Sequence, residues 1–323
     1  MRNVNKTLFI LSLVGASFMS CTTELENADY QVIPAPQELV IDQNEPFIMN
    51  NKTKIIIYPA DNDGMQRNAG FLAEYVKEAT GKSLKTVLTD KTKNAIILQL
   101  GLSSENPEAY QLNVNKDNII ISGASEAGVF YGIQTLRKSL PITKTANVSF
   151  PAVKIQDYPR FAYRGMMLDV SRHFFDVNFV KKQIDAFAYY KLNRLHLHLT
   201  DAAGWRIEID KYPRLTEFAA WREFPTWKEW WNNGRQYSEE GSENAYGGYY
   251  TKEDIRELVA YAESRYITVI PEIEMPAHSE EVLTAYPELS CTHEPYKQAD
   301  FCVGNEKTFE FLENVLTEVM ELF

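Results

Sequence analysis

The first half of the chain alternates between strand-like and helix-like spacing of hydrophobic residues. The predicted elements are strands over 54–58, 95–100, 110–114 and 118–122, and helices over 65–80 and 125–140. The last two strands flank Asn115-Lys116-Asp117 as a hairpin, and Gly81 stops the first helix. No acids, histidines or cysteines cluster here in a way that suggests chemistry. We therefore interpret residues 31–157 as a small α+β supporting domain.

The pattern changes after Tyr163, where apolar strands and amphipathic helices follow one another. The predicted elements are strands over 166–170, 194–200 and 267–273, and helices over 176–190, 251–265 and 306–323. Strands that alternate with helical crossovers predict a parallel α/β sheet for residues 158–323.

A long connection separates the second of these strands from the helix at Thr251. It has about 50 residues, whereas such connections usually have 2 to 6. It carries all five tryptophans, which are Trp205, Trp221, Trp227, Trp230 and Trp231. Aromatic residues at the ligand-binding end of an α/β sheet suit stacking on sugar rings, although we expect half or more of these aromatics to pack the loop onto its scaffold.

Charge and composition narrow the class of protein. The net charge of −11 makes nucleic acids and acidic lipid surfaces poor partners. The hydrophobic fraction of 45% excludes disorder for most of the chain.

The first residues have the features of a targeting segment. Arg2 and Lys6 precede an apolar run, too short to span a membrane, that ends before Cys21. We interpret residues 1–20 as a lipoprotein signal peptide, Cys21 as the lipidated residue and residues 21–30 as a tether, which predicts export and a lipid anchor in the bacterial outer membrane. A plain secretory signal with an incidental cysteine is the alternative.

Two further cysteines remain once Cys21 is assigned. Cys291 and Cys302 form an even pair in a loop-like stretch of a chain expected to be exported. We therefore predict a disulfide between them.

Polar residues accumulate at the ends of the three strands of the second half. Arg164 opens the first strand, and the others are Asp169, Arg172, His173, His196, His198, Thr200, Asp201, Glu272, Glu274 and His278. Burying a charged side chain in such a strand costs free energy unless it forms an ion pair or takes part in binding or catalysis. Arg164 can donate to a pair of sugar hydroxyls, Asp201 can accept from others, and Glu274 can orient His278. A structural ion-pair network is the alternative.

Two local interpretations of these residues stay open. Glu272 and Glu274 share a strand face at about 6.6 Å, within the range of an inverting glycosidase pair. His196 and His198 share a face too, but no third histidine or cysteine lies at a zinc-like spacing. We expect no metal and no cofactor.

Four segments resemble the catalytic domain of family 20 glycoside hydrolases, the β-N-acetylhexosaminidases. They are residues 163–175 (YRGMMLDVSRHFF), 196–201 (HLHLTD), 204–209 (GWRIEI) and 271–279 (PEIEMPAHS). The region before Tyr163 also resembles the α+β domain that precedes this family's barrel. The resemblance implies an incomplete TIM barrel, of which this chain holds the first three βα units.

The resemblance also implies a reaction and site residues. The family removes terminal non-reducing N-acetylhexosamine from glycans, with retention, by attack of the sugar's own 2-acetamido oxygen on the anomeric carbon. On the matching positions Arg164, Asp201 and His278 would bind the sugar, and Glu274 would act through His278. Ala202-Ala203 and Ala277 depart from the residues frequent in the family.

The largest departure concerns catalysis. The family's adjacent Asp-Glu pair lies at the end of the fourth strand, beyond Phe323, so we expect no catalytic residue in this chain and no useful hydrolysis by it. The alternatives are a non-catalytic glycan-binding lipoprotein and a glycosidase that uses Glu272 and Glu274.

Overall fold

The structure is a computed structural model that describes residues 25–142 and 147–323. The predicted signal peptide and Cys21 lie outside these residues. Within the described ranges no helix combines the length and the apolar run that a membrane crossing needs.

The amino-terminal part is built on a seven-stranded mixed sheet. Its elements are β1 (Glu26–Asn27), β2 (Glu38–Ile41), β3 (Phe47–Met49), β4 (Lys54–Tyr58), α1 (Asp63–Thr80), β5 (Lys85–Thr86), β6 (Ala95–Leu100), β7 (Tyr110–Asn115), β8 (Asn118–Gly123), α2 (Glu126–Ser139), β9 (Val148–Phe150) and β10 (Val153–Asp157). The large sheet has the order β2-β10-β7-β8-β6-β4-β5, and β1, β9 and β3 form a smaller one. Both helices pack on the large sheet and on each other.

Local sequence signals explain where the two helices start and stop. The Asn62 side chain accepts a hydrogen bond from the Met65 amide at the start of α1, and Ser125 caps α2 in the same way. Gly81 ends α1 with φ of 75°, a left-handed conformation that glycine adopts without a Cβ clash. The four predicted strands and two predicted helices of this part are confirmed.

The carboxyl-terminal part contains a parallel three-stranded sheet in the order β11-β12-β17. Its elements are β11 (Gly165–Asp169), α3 (Val177–Tyr189), β12 (Arg194–His198), β13 (Thr200–Asp201), β14 (Gly204–Trp205), α4 (Arg214–Glu217), β15 (Trp221–Arg222), α5 (Trp227–Asn232), β16 (Tyr246–Gly247), α6 (Lys252–Glu263), β17 (Thr268–Glu272), α7 (Glu280–Ala285), a 3₁₀ turn (Pro287–Leu289) and α8 (Glu306–Met320). The predicted order of three strands and three long helices is confirmed, while α8 ends three residues before the predicted end of the chain's last helix.

One hydrophobic core runs through both parts. The rings of Phe130 on α2 and Tyr266 before β17 lie 5.3 Å apart. Buried Lys191 after α3 donates from Nζ to Asp157 Oδ2 and to the Tyr110 hydroxyl, each at 2.8 Å. The sheet that carries the polar strand ends is therefore held on the amino-terminal part by apolar and ionic contacts.

Candidate functional site

The register of the parallel sheet places three polar residues in one row. Asp169 pairs with His198, and His198 pairs with Glu272, at the carboxyl ends of β11, β12 and β17. Because parallel strands end at the same edge of a sheet, the residues that follow each strand meet there too. The sequence prediction that these strand ends come together is confirmed.

Asp201 is the centre of this cluster. Its Oδ2 lies 2.5 Å from Arg172 Nη2, 3.1 Å from His278 Nδ1 and 3.4 Å from His198 Nε2. The Asp201 side chain is 4% exposed, whereas that of His278 is 56% exposed. Burial works against the ionised carboxylate, but the contact with His198, the charge of Arg172 and the contact with His278 outweigh it, so the pKa of Asp201 is lowered. The cluster therefore combines a buried carboxylate, that of Asp201, with an opening to solvent at His278.

His198 lies beneath that anion, between two carboxylates. Its Nδ1 is 2.9 Å from Glu272 Oε2, while Nε2 faces Asp201. Burial opposes the charged imidazole, but Asp201, Asp169 and Glu272 outweigh it and raise the pKa of His198. His196 reaches the same Glu272 oxygen at 2.6 Å.

Arg172 supplies the guanidinium group of this cluster. Nη1 contacts Asp169 Oδ2 at 2.9 Å, and Nη2 contacts Asp201. About a third of the side chain is exposed, so the guanidinium borders the opening. The sequence pattern grouped Arg172 with the strand ends but gave it no binding role.

Arg164, which we expected to bind sugar beside Asp201 and His278, lies elsewhere, and this prediction is corrected. It precedes β11, at the amino end of the strand. Its guanidinium donates to Glu108 Oε2, the Phe161 carbonyl and the Lys191 carbonyl, each at 2.8 Å. These contacts join the two parts of the fold, and the length of β11 separates Arg164 from the cluster.

Glu274 also departs from its expected position. We predicted that it orients His278, but His278 pairs with Asp201, and the imidazole near Glu274 is that of His198, with Nε2 to Oε1 at 3.9 Å. Burial, reinforced by the nearby Glu272 carboxylate, raises the pKa of Glu274, although the charge of His198 partly offsets this. The interpretation of Glu272 and Glu274 as an inverting pair stays a prediction.

Three of these side chains also offer atoms at metal-binding distances. One ligand atom each from His198, Asp201 and Glu274 lies within 4.8 Å of the others. A metal needs a neutral imidazole, whereas the surroundings of His198 favour its protonated form, and Arg172 already supplies a cation beside Asp201. The donor set therefore fits an ionic cluster better than a metal centre, and the expected absence of a metal stays a prediction.

Two buried arginines hold the long connection after β12 against the site. Arg206 is fully buried and donates to five backbone carbonyls, those of Val170, Ser171, Ala203, Ala220 and Gly248. Burial, with the charge of Arg222 nearby, lowers the pKa of Arg206 to about 10. Arg222 donates to the carbonyls of Ala203 and Arg172. Sequence reasoning missed both residues, since a buried arginine and an exposed one look alike in a loop.

The tryptophans of this connection divide into packed and exposed groups. Trp205 and Trp230 are buried, and the partly buried Trp221 donates from Nε1 to the Thr216 carbonyl. Trp227 and Trp231 are 42% and 48% exposed. The expectation that about half or more of these residues pack the loop is confirmed for the tryptophans.

The loop after α7 contains a cystine. Cys291 and Cys302 are bonded, with Cα atoms 5.0 Å apart. Within this loop Tyr296 stacks on Tyr237, whose hydroxyl donates to the Ala202 carbonyl next to Asp201. The cystine loop therefore packs on the same side of the sheet as the cluster.

A parallel βα sheet with an ionic, partly open cluster at the carboxyl ends of its strands is typical of α/β folds that bind ligands at this edge, and the similar solved structures imply that the fold is TIM-barrel-like. The catalytic-domain model of glycosyl hydrolase family 20 matches residues 161–323, and the model of domain 2 of the same family matches residues 29–158. The chain belongs to glycosyl hydrolase family 20.

Individual relatives agree with this assignment. A beta-hexosaminidase of Porphyromonas gingivalis is 36% identical over 97% of this chain and 40% of that protein. The solved GH20 beta-N-acetylhexosaminidase of Streptomyces coelicolor A3(2) superposes with a TM-score of 0.75 at 35% identity, covering 90% of this chain and 57% of that one. An exo beta-N-acetylglucosaminidase of Vibrio harveyi, solved with N-acetylglucosamine, gives a TM-score of 0.77 at 31% identity over 93% of this chain and 46% of that one. The chain thus spans about half the length of the relatives it matches.

Proposed function

We propose that this chain supplies the sugar-recognition part of a β-N-acetylhexosaminidase, and that it binds the terminal, non-reducing N-acetylhexosamine of a glycan. The observation that carries the proposal is Asp201, a buried carboxylate held between Arg172 and His278 at the open end of the sheet. The names of the relatives support the substrate class.

The chemistry of the cluster suits a neutral, hydroxyl-rich ligand. A guanidinium donates two parallel hydrogen bonds, which match a pair of neighbouring hydroxyl oxygens. Asp201 accepts a hydrogen bond from a sugar hydroxyl, and the exposed imidazole of His278 lies beside it at the opening of the cluster. In this proposal Arg172 takes the role that we first expected of Arg164.

We propose that His198, Glu272 and Glu274 act beneath the sugar. His198 places positive charge under Asp201, and this charge keeps the carboxylate ionised and acceptor-only. Glu272 holds His198 by Nδ1, so Nε2 stays aimed at Asp201. These residues position Asp201 and need not contact the substrate.

Catalysis in the proposed reaction requires residues other than these. The 2-acetamido oxygen attacks the anomeric carbon while the glycosidic oxygen takes a proton and leaves, and water then opens the cyclic intermediate with retention. The family's Asp-Glu pair orients the acetamido group and protonates the leaving oxygen, and the sequence contains no Asp-Glu dipeptide. We therefore propose that the 323-residue chain binds the sugar but does not turn it over efficiently.

The direct test combines binding and turnover on the 323-residue chain. We expect N-acetylglucosamine to bind in a calorimetric titration, and Asp201→Ala to weaken binding by about tenfold or more, since one hydrogen bond to a charged group contributes about 1.5–3 kcal/mol. Undiminished binding by Asp201→Ala would refute the proposed site. An aryl N-acetyl-β-hexosaminide assay run alongside separates recognition alone from catalysis, and hydrolysis abolished by Glu272→Gln or Glu274→Gln would favour the local carboxylate pair.

We also propose export with a lipid anchor on Cys21. The basic start, the apolar run and the small residues before Cys21 support this, and a cystine in the folded chain fits an oxidising compartment. Mass spectrometry of the protein from bacterial membranes would give a lipid-modified Cys21 at the amino terminus. A soluble product with unmodified Cys21 would contradict the anchor.

A further inference from the structure

Two exposed indoles stack on each other on helix α5. Trp227 and Trp231 are one helical turn apart, with ring centroids separated by 5.2 Å and planes inclined by 26°. The side chain of Thr226 caps the helix by accepting from the Glu229 amide, which fixes the start of this short turn. We call Trp227 and Trp231 the tryptophan platform.

The two indoles of the platform are exposed, although helix α5 also has a buried face. Trp230 on the same helix is fully buried and packs on Tyr237, with ring centroids 5.7 Å apart. The helix is thus anchored through one indole and turns the other two toward solvent. Two adjacent indoles, each more than 40% exposed, give this face of the helix an apolar surface on which a ligand can stack.

Contacts of helix α5 and of Arg235 connect the platform to the proposed sugar site. Arg222 lies 5.6 Å from the ring of Trp230, the buried indole of the same helix, and donates to the carbonyls of Arg172 and Ala203. Beside the platform, the Arg235 guanidinium lies 4.9 Å from the Trp231 ring and donates to Glu280 Oε2 at 2.8 Å. Glu280 is two residues after His278. The platform therefore borders the same rim as the cluster.

The surroundings favour a sugar over other occupants. An indole face stacks on the apolar face of a pyranose, and polar side chains at its edge serve the hydroxyls. The Arg235 guanidinium lies over the Trp231 ring and its side chain is 37% exposed, so it places hydrogen-bond donors beside the indole pair. The six-residue helix is too small an apolar surface for stable membrane insertion, and the net charge of −11 opposes an acidic membrane.

We propose that the tryptophan platform is a binding subsite for the glycan beyond its terminal sugar, and that it takes the second or third pyranose ring of a β-linked N-acetylhexosamine oligosaccharide. The proposal rests on the proposed function, because it assumes that the terminal sugar lies at Asp201. It makes Trp227 and Trp231 determinants of preference for long over short substrates.

The experiment compares two ligands on the 323-residue chain. Calorimetric titrations with N-acetylglucosamine and with its β-1,4-linked tetramer are run on the unchanged chain, on Trp227→Ala, on Trp231→Ala and on Arg172→Ala. Phe309→Ala is the matched control, because Phe309 on α8 is an aromatic side chain of similar exposure, 47%. We expect Trp227→Ala to weaken tetramer binding about tenfold and leave monomer binding unchanged, since one indole face buries on the order of 80 Å².

The outcomes separate this proposal from the proposed function. If the tetramer binds Trp227→Ala and Trp231→Ala as tightly as Phe309→Ala, the platform is not a sugar subsite, whatever Arg172→Ala does. If Arg172→Ala leaves both ligands unaffected while the tryptophan variants lose the tetramer, the platform binds glycan and the site at Asp201 is wrong. If the tryptophan substitutions instead abolish self-association measured by sedimentation and change no titration, the platform is a protein interface and the proposal fails.

Discussion

Replacement of Asp201 by asparagine tests the electrostatics of the cluster most sharply. Asp201→Asn keeps the shape of the side chain and removes the anion that faces Arg172, His198 and His278. Removing one partner of a buried ion pair typically destabilises a protein by about 3–5 kcal/mol. Here Arg172 keeps Asp169 and His198 keeps Glu272, so we expect a smaller loss, about 2–3 kcal/mol.

The loss of stability in Asp201→Asn should depend on pH. The folded-state pKa of Asp201 is lowered from 3.8, so its stabilisation is present above that value and is lost as pH falls through the folded pKa. The folded-state pKa of His198 is raised from 6.5, so its stabilisation is complete below 6.5 and is lost as pH rises through the folded pKa. The difference between the two proteins should therefore be largest between about pH 4 and 6.5 and smaller on either side.

Urea unfolding from pH 3 to 9, with an NMR titration of His198, measures both effects. Asp117→Asn is the control, since Asp117 pairs with Lys93 at 3.3 Å with both side chains exposed and should contribute less than about 1 kcal/mol. In Asp201→Asn the pKa of His198 should fall relative to the unchanged chain. A pH-independent difference in unfolding free energy, or an unchanged His198 pKa, would refute the electrostatic reasoning.

Three further predictions concern groups outside the opening. Glu281 is fully buried, and burial raises its pKa well above 4.5, so its contribution to stability is lost as pH rises above 4.5. Glu281→Gln should therefore raise the midpoint of thermal unfolding at pH 7 and leave it unchanged near pH 4. A lower midpoint at pH 7 would contradict this prediction. Lys191→Met should cost roughly 3–5 kcal/mol in urea unfolding by stranding Asp157, and adding Asp157→Asn should recover part of it; no recovery would mean that packing rather than charge is lost. Replacing Cys291 and Cys302 together by serine should lower stability by about 2–3 kcal/mol, and unchanged stability would show that the closed loop does not restrict the unfolded chain.

Local and periodic features of the fold were predictable from the sequence. The hydrophobic spacing located the main helices and strands, because apolar residues recur every three or four positions on the buried face of a helix and every second position on that of a strand. Parallel strands implied that Asp201 and His278 approach each other, although they are 77 positions apart. The helices predicted to start at Asp176 and Thr251 do start there, and each is capped by the side chain of that residue.

The roles of single charged residues were not predictable in the same way. Arg164 and Arg172 flank the same strand, and only the direction of β11 shows that Arg172 lies at the ligand end. Arg164 lies five positions before Asp169, the last residue of β11, at about 3.3 Å per residue. Glu274 follows the end of β17, where strand periodicity no longer fixes the side-chain direction, so its partner could not be inferred from spacing.

The most direct test of the central claim is the hydrolysis of an aryl N-acetyl-β-hexosaminide by a version of the protein as long as the family 20 relatives that it matches. Arg172→Lys and Arg164→Lys are a matched pair, since each keeps its positive charge and loses the paired donors of a guanidinium. We predict that Arg172→Lys lowers kcat/KM by about 10- to 100-fold, whereas Arg164→Lys, corrected for folded protein, stays within about threefold of the unchanged enzyme. A large loss in Arg164→Lys with full activity in Arg172→Lys would contradict the assignment of Arg172 and return the sugar contact to the amino end of β11.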